Sequence, residues 1–411
     1  MGGLKVAIVG AGIGGLTAAI ALHRRGIEVA VYEKASELRE LGAGVAIGAN
    51  GAKVYAGLGL LDSIARIAGK LTTVSGETWD GRALPGYQWP YPVERTYPLH
   101  RAEFQSLLAS ALPPGTVRFG HECERVVEDD DGVRIDFVGG ARARADVLIG
   151  ADGIHSVIQP LVSERSEPVS EGIMAYRGLI PADRAGVSDR LDSMAMWLGP
   201  GQSFLTYPVS DGALLNIVAF VPTDLDVEES WSAPGDVAAL AAAYDGWDER
   251  VQRVIAAMDT TFRWGIYDRK PLQGWSTDRI TLLGDSAHAV TPHLGQGANQ
   301  AVEDSATLAI MLENACAADI PVRLHRYEDL RIERNRQVRE GAREAGQLYR
   351  ATGLPPARQA ERIVAIFDRL ELATYDAERV ASDALAEPKN YIPPLSEGIP
   401  PPPVTVTVAG G

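Results

Sequence analysis

Cysteine is almost absent from these 411 residues: Cys123 and Cys316 stand far apart, outside any C-x-x-C or His-Cys cluster. That gives no support for a disulfide frame or a structural metal site, and it fits a reducing compartment. Positive charge is also in short supply. With 39 Lys and Arg against 54 Asp and Glu, the formal net charge is −15, which argues against nucleic acid as a partner because phosphate binding needs a basic face. Long apolar runs are missing too, none approaching the roughly 18 residues of a membrane span. The opening MGGLKVAIVGAGIGG is too briefly apolar for a secretory leader, and Val at position 6 breaks the myristoylation pattern. The expectation is a cytoplasmic chain without a membrane span or bound metal, either a monomer or a homodimer. Its 46% hydrophobic and 23% charged residues suffice for a large core, and its length predicts two domains or one elaborated domain.

The most regular stretch is KVAIVGAGIGGLTAAIALHRRGIEVAVYEK. A short β-rich run at residues 5–9 leads into Gly10, Gly12 and Gly15 of a G-x-G-x-x-G pattern, and apolar residues at helical spacing follow (Leu16, Ala19, Ile20, Leu22). A second strand, 29–32, ends at Glu33. Such a βαβ unit is what a dinucleotide site needs: Gly10 for the tight turn, Gly12 for close approach to a pyrophosphate, and Gly15 for helix–strand packing. The helix N-terminus offers unpaired N–H groups to the anion. An acid at position 33 can accept from a ribose 2′-hydroxyl and disfavours a 2′-phosphate, so the residues alone point to NAD or FAD.

Further along, the Gly-rich LGAGVAIGANG (41–51) predicts irregular backbone, and residues 99–112 predict an amphipathic helix with Phe104, Leu107 and Leu108 on one side. A D-D-D-G turn at 129–132 marks a hairpin leading back to the nucleotide sheet. Strand-like segments crowd residues 172–223, helical ones 236–259, 296–316 and 322–350, and a buried strand 279–285. The fold class is therefore α/β: a Rossmann-like nucleotide-binding domain (1–75, 99–170 and 270–350), an inserted mainly antiparallel β-sheet substrate domain (76–98 and 171–269), and C-terminal helices (351–386). The last segment, 387–411, is Pro-rich and reads as an extended tail.

Three separated motifs carry a family resemblance over nearly the whole chain: GAGIGG with Glu33, GADGIHS at 150–156, and LLGDSAHAVTPHLGQGANQAVEDSATLA at 282–309. In this order they resemble the single-component FAD-dependent aromatic hydroxylases, the p-hydroxybenzoate-hydroxylase-like group. GAGVAIGANGAKVYAGLGL (42–60), LHRAEF, AYRGL (175–179) and LTYPVSDGALLNIVAF (205–220) look most like salicylate 1-monooxygenases. The resemblance implies bound FAD, NADH or NADPH as a transient co-substrate, O2, and a flavin 4a-hydroperoxide that hydroxylates a phenolic or hydroxybenzoate-type ring, with decarboxylation where a carboxylate sits ipso. A larger aromatic or polyketide substrate is the alternative within the class, and a non-catalytic flavin- or NAD-binding protein the alternative outside it.

Position by position, the resemblance assigns Gly10, Gly12, Gly14, Gly15, Glu33, Lys34, Arg39 and Arg101 to the ADP half of FAD, and Asp152 with Gly153 to FAD and the reductant. Asp285 falls to the ribityl chain, Pro292 to the flavin face, and the backbone of Gly295, Gly297, Ala298 and Asn299 to the flavin ring. A helix N-terminus there suits the negative charge of a reduced flavin. Two positions depart from the pattern: Gln159 stands where relatives carry an Arg after the second motif, and Ser203 where several carry a His. His293 is then the remaining imidazole near the flavin, either a substrate-facing base or a loop-packing residue. Tyr207 is either pocket or core, Arg177 either a carboxylate fork or a surface ion pair, and Trp79, Trp197 and Trp264 either pocket walls or core. A hydrolytic reading of Asp285, Ser286 and His288 fails, because a nucleophile elbow needs G-x-S-x-G and His288 occupies the last place. Ser286 and His288 are expected to make local loop contacts.

Overall fold

The computed structural model describes residues 3–38, 44–84, 95–165, 167–187, 191–224 and 233–386. Arg39 and the tail at 387–411 lie outside them.

The βαβ unit forms as its glycines and apolar spacing require: β1 (Lys5–Val9), α1 (Ile13–Arg24) and β2 (Glu28–Tyr32). Gly10 adopts φ +107, and a Cβ on Gly15 would lie 2.1 Å from the Gly10 carbonyl oxygen, so only glycine lets α1 sit this close to β1. The Gly-rich stretch after it is more regular than its composition predicts. It holds β3 (Gly44–Ile47) and the start of α2 (Ala49–Gly57). Its glycines answer to contacts: a Cβ on Gly44 would meet the Asn216 side chain at 2.6 Å, and one on Gly51 the Asn299 Oδ1 at 2.6 Å. There follow α3 (Leu61–Ile67), β4 (Thr73–Thr78), β5 (Tyr97–His100), α4 (Arg101–Ser110) and β6 (Val117–Arg118). β4 begins three residues before the position expected to open the inserted domain. β7 (Cys123–Asp129), β8 (Gly132–Phe137) and β9 (Arg142–Ala145) make the expected hairpin region, and β10 (Val147–Gly150) follows directly.

The middle of the chain supplies β11 (Val169–Pro181), β12 (Ser193–Leu198), β13 (Ser203–Val209), β14 (Leu214–Pro222), β15 (Ala233–Gly235), α5 (Val237–Ala243), α6 (Glu249–Ala256) and β16 (Thr261–Asp268). The remainder is β17 (Ile280–Leu282), α7 (Asp285–His288), α8 (Gly297–Leu312), α9 (Ile320–Tyr349), α10 (Pro356–Arg369) and α11 (Ala377–Ala386).

Two large sheets organise these elements. The first has the order β17-β10-β1-β2-β6, all pairs parallel, with α1 and α8 packed on it. The second has the order β15-β16-β11-β14-β13-β12-β4, antiparallel except where β4 runs parallel to β12. Side chains alternate across this second sheet. One set (Met174, Tyr176, Trp197, Phe204, Ile217, Ala219) packs under α5 and α6 with Tyr244 and Val254. The other set faces the nucleotide-binding part of the chain, and between the two lies a cavity of about 320 Å³. Among the described residues no helix is long and apolar enough to cross a membrane, and no group of three or more His, Cys, Asp or Glu could hold a metal ion.

Candidate active site

The strands of the parallel sheet deliver their motif residues to one edge. Gly10 N–H donates to the Tyr32 carbonyl, Ala151 N–H to that of Val9, and Leu283 N–H to that of Gly150. The three motifs thereby become neighbours at the carboxyl ends of β1, β10 and β17, where ligands of open α/β sheets bind. Gly12, Gly14, Ala151, Gly153, Asp285, Gly295, Gly297 and Ala298 line one end of the cavity, together with Arg101 at the start of α4. Among the described residues, chain neighbours aside, no atom lies within 4 Å of where a Cβ on Gly12, Gly153 or Gly295 would stand.

The polar groups here are placed for a ligand with both phosphates and hydroxyls. Glu33 accepts from Ala11 N–H (2.8 Å) and Ala35 N–H (2.9 Å), which fixes its carboxylate beside the start of α1. Lys34 is exposed next to it. Asp152 accepts from Val157 N–H at 2.7 Å, while its buried Oδ1 has no hydrogen-bond partner among the described residues; burial pushes this carboxyl up. Asp285 opens α7 after Gly284 (φ +65), and burial pushes its carboxyl up against the pull of His288 and Arg101. At α8 the first-turn N–H groups of Gly297, Ala298 and Asn299 lack helical acceptors. Gly295 differs from expectation, since its N–H is spent on the Pro292 carbonyl. The Asn299 side chain is also occupied: it accepts from Gly48 N–H and donates to the carbonyls of Ala46 and Gly295, tying β3 to α8. An open glycine cradle, a buried unpartnered carboxyl oxygen and two free helix N-termini fit FAD.

At its other end the cavity is walled by Met194, Met196, Leu205, Val218, Phe220 and Ile266, with Val290, Thr291, Pro292 and His293 opposite. Two polar side chains from the sheet enter this apolar space. Arg177 is half-buried, with its Nε shielded from solvent and its guanidinium 4.3 Å over the Trp264 ring; desolvation lowers its pKa to about 10 although Tyr207 pulls the other way. Burial pushes the Tyr207 phenol up to about 12, with Arg177 opposing. β11 turns Arg177 toward the cavity. Trp264 joins the wall, but Trp197 does not: it points through β12 to the opposite face, where its Nε1–H donates to Asp248 at 2.9 Å. Trp79 is partly exposed. Ser203 lies on the cavity side of β13, with its Oγ buried and unpartnered.

The loop residues differ from local contacts in one case. Ser286 Oγ donates to the carbonyls of Leu283 and Gly150 and so pins the turn. His288 instead reaches Asp304 on α8, which also accepts from Gly284 N–H and from Arg331 on α9. Gln159 donates to the Ser286 carbonyl at 2.8 Å, joining the second motif to the third, and Arg165 donates to the Ser156 carbonyl. Sequence reasoning missed Glu171 of β11, which accepts from His293 Nε2 at 3.2 Å and from Arg350 at 3.1 Å. A glycine one residue later, inside a strand, was the readable signal.

A parallel nucleotide sheet whose cradle opens into an apolar chamber with a half-buried Arg defines a flavin-dependent oxidoreductase. Residues 3–342 match the FAD binding domain family, and the chain belongs to it. It is 38% identical over 374 residues to the 3-amino-4-hydroxybenzoate 2-monooxygenase PtmB3 of Streptomyces platensis, with 89% of this chain and 94% of that one covered. A salicylate hydroxylase of Pseudomonas putida is 32% identical over 381 residues, covering 84% of this chain and 86% of the other. Among solved structures, Klebsiella pneumoniae HpxO complexed with FAD and uric acid is similar with a TM-score of 0.75 and 30% identity, over 94% of this chain and 97% of that one. The chain is an FAD-dependent monooxygenase of the aromatic-hydroxylase kind, as the three motifs implied.

Proposed function

We propose that this enzyme uses NADH or NADPH and O2 to hydroxylate a single aromatic ring that carries a hydroxyl and a carboxylate, of the hydroxybenzoate or aminohydroxybenzoate type. The observation that carries the reading is Arg177, a half-buried guanidinium over Trp264 that lines a chamber whose other walls are largely apolar. An anionic substituent there gains a charge-assisted, desolvated partner, with Tyr207 beside it.

Bound FAD supplies the redox chemistry that carries electrons from the reductant to oxygen and an oxygen atom to the ring. The chain's residues do the rest. Gly10, Gly12, Gly14 and Gly15 with Glu33 and Lys34 hold the ADP half, Arg101, Asp152, Gly153 and Asp285 the middle, and the N-terminus of α8 favours negative charge on the flavin ring. Pro292 would face the flavin ring, and the Met and Phe walls would exclude water from the reacting atoms. His293, its side chain 1% exposed, packs the loop that follows Pro292 against Glu171 and α9. A second cleft, lined by Gln159, Arg269, Lys270, Arg336 and Arg339 and sharing Asp285 with the main cavity, suits the phosphates of the visiting reductant.

The test is NADH and NADPH oxidation by FAD-loaded protein across a panel of hydroxybenzoates and aminohydroxybenzoates, with product masses. Faster oxidation with a mass gain of one oxygen is expected for at least one ring. No acceleration by any ring overturns the reading.

A further inference from the structure

Three polar side chains gather at one corner of the second sheet's cavity face. Register places Leu179 of β11, Asn216 of β14 and Tyr207 of β13 side by side in one row, and Arg177, Val218 and Leu205 in the next. Cross-strand neighbours share a face of the sheet, as do residues two apart along a strand, so Arg177, Asn216 and Tyr207 are grouped together. Arg177 and Tyr207 line the cavity, whereas Asn216 is 0% exposed. Asn216 Oδ1 accepts from Gly44 N–H of β3 at 2.8 Å, while its Nδ2 is buried with no hydrogen-bond partner among the described residues. A buried amide matched on one side only costs stability, so an apolar residue would serve the sheet better at this place.

The strand that Asn216 holds is a wall of the cavity. Gly44, Val45 and Ala46 of β3 line it, and β3 pairs with β5 in a separate two-stranded ribbon. The far end of β3 is tied by Asn299 of α8, which donates to the Ala46 carbonyl and accepts from Gly48 N–H. β3 thus hangs between the second sheet, at Asn216, and the first turn of α8, at Asn299. Gly44 does not take a positive φ, so its conformation does not demand glycine; what demands it is room. A Cβ there would lie 2.6 Å from Asn216 Cγ and 2.7 Å from the Tyr207 hydroxyl oxygen. The Tyr207 hydroxyl therefore rests against the bare backbone of β3 at the point that Asn216 anchors.

We propose that Asn216 is a positioning residue for specificity: by anchoring Gly44 it fixes the Tyr207 hydroxyl where it donates to the same carboxylate of the ring that Arg177 binds. This rests on the substrate reading above. Burial pushes the Tyr207 phenol up to about 12, so it keeps its proton near neutral pH and acts as a donor. Arg177 supplies charge from one row of the sheet and Tyr207 a directed hydrogen bond from the next, a pair that suits a carboxylate better than a lone hydroxyl. Asn216 itself has no exposure to the cavity, and it acts through β3 and Tyr207. A half-matched amide kept inside a buried sheet breaks a local rule of stability, as residues that serve a site do.

The experiment is equilibrium binding of benzoate and of phenol to the FAD-loaded protein without reductant, read from the change in flavin absorbance. Wild type, Asn216→Leu, Tyr207→Phe and the double variant are compared. Tyr207→Phe should weaken benzoate about tenfold, and Asn216→Leu about fivefold or more, with phenol changed less than about twofold in Asn216→Leu. In the Tyr207→Phe background, Asn216→Leu should weaken benzoate by less than about twofold, because the group it positions is gone. Unchanged benzoate affinity in Asn216→Leu, equal losses for benzoate and phenol, or a full-sized further loss in the double variant overturns the proposal. If Asn216→Leu does not fold, Asn216→Ser takes its place under the same criteria. Benzoate that does not bind the wild type fails the substrate reading and the proposal together, whereas benzoate that binds wild type and Asn216→Leu alike fails the proposal alone.

Discussion

Arg331 of α9 donates through Nε to Asp304 Oδ1 of α8 at 2.7 Å, and neither side chain has any exposure to solvent. Its other nitrogens reach Glu303 at 2.8 Å and the Gln300 side chain at 2.9 Å. Asp304 turns its second oxygen to Gly284 N–H and His288, so this buried pair holds the turn that presents Asp285 to the cavity. Removing one member of such a cluster strands the opposite charge in the interior. Arg331→Met should therefore lower unfolding free energy by about 3–5 kcal/mol in urea titrations of the apoprotein and weaken FAD binding with it. A loss below about 1 kcal/mol would show that the cluster contributes little beyond its packing.

The same pair sets an acid limit. Although burial opposes it, the charges of His288 and Arg331 and their hydrogen bonds hold the Asp304 carboxyl at about 2. A carboxyl depressed in the folded state contributes stability above its unfolded value, near 4, and that contribution is lost as pH falls through its folded value. Stability of the wild type should thus fall between about pH 4 and 2. Asp304→Asn should be less stable at neutral pH yet lose less across that window, as read by denaturant midpoints at each pH. Parallel slopes would assign the acid loss to other carboxyls.

The sequence made the nucleotide half legible because its signals are local: Gly10, Gly12, Gly15 and Glu33 act within one βαβ unit. Period-two alternation along β13 is local in the same way: Leu205 and Tyr207 face the cavity and Phe204 the opposite side. It could not say which face was which, since both faces of this sheet are buried, and so Trp197 looked as eligible for the wall as Trp264. His288 and Glu171 escaped for a different reason. Their partners, Asp304 and His293, lie on other elements, and no periodicity within β11 or α7 encodes them.

Those opposite faces give a paired prediction. Arg177→Met removes the half-buried cation over Trp264 and should raise KM for a carboxylated ring about ten- to a hundredfold, the worth of a charge-assisted hydrogen bond of about 1.5–3 kcal/mol. The flavin spectrum and the KM of an uncharged phenol should change little. Trp197→Phe, on the far side of β12, should lower stability and leave KM within about twofold. Equal effects of Arg177→Met on charged and uncharged rings would remove the carboxylate from its role.

Gly12 and Gly15, three residues apart, should separate cofactor binding from folding. Gly15 is closed in by its own chain, with the Gly10 carbonyl oxygen 2.1 Å from where a Cβ would go. Gly15→Ala must push α1 off β1 and should cost the apoprotein about 1–3 kcal/mol, as overpacking does. Gly12 caps α1 at φ −69, ψ 177, backbone that alanine adopts freely, and among the described residues, chain neighbours aside, no atom stands within 4 Å of its Cβ position. Gly12→Ala should leave apoprotein stability within about 0.5 kcal/mol of wild type, while the added methyl occupies the space through which the pyrophosphate approaches the helix N-terminus. FAD affinity, followed by flavin fluorescence quenching, should then fall at least about tenfold, equivalent to about 1.4 kcal/mol. Unimpaired FAD binding in Gly12→Ala would place the pyrophosphate elsewhere in the cavity, and equal apoprotein losses in the two variants would mean that Gly12, like Gly15, serves the packing of α1.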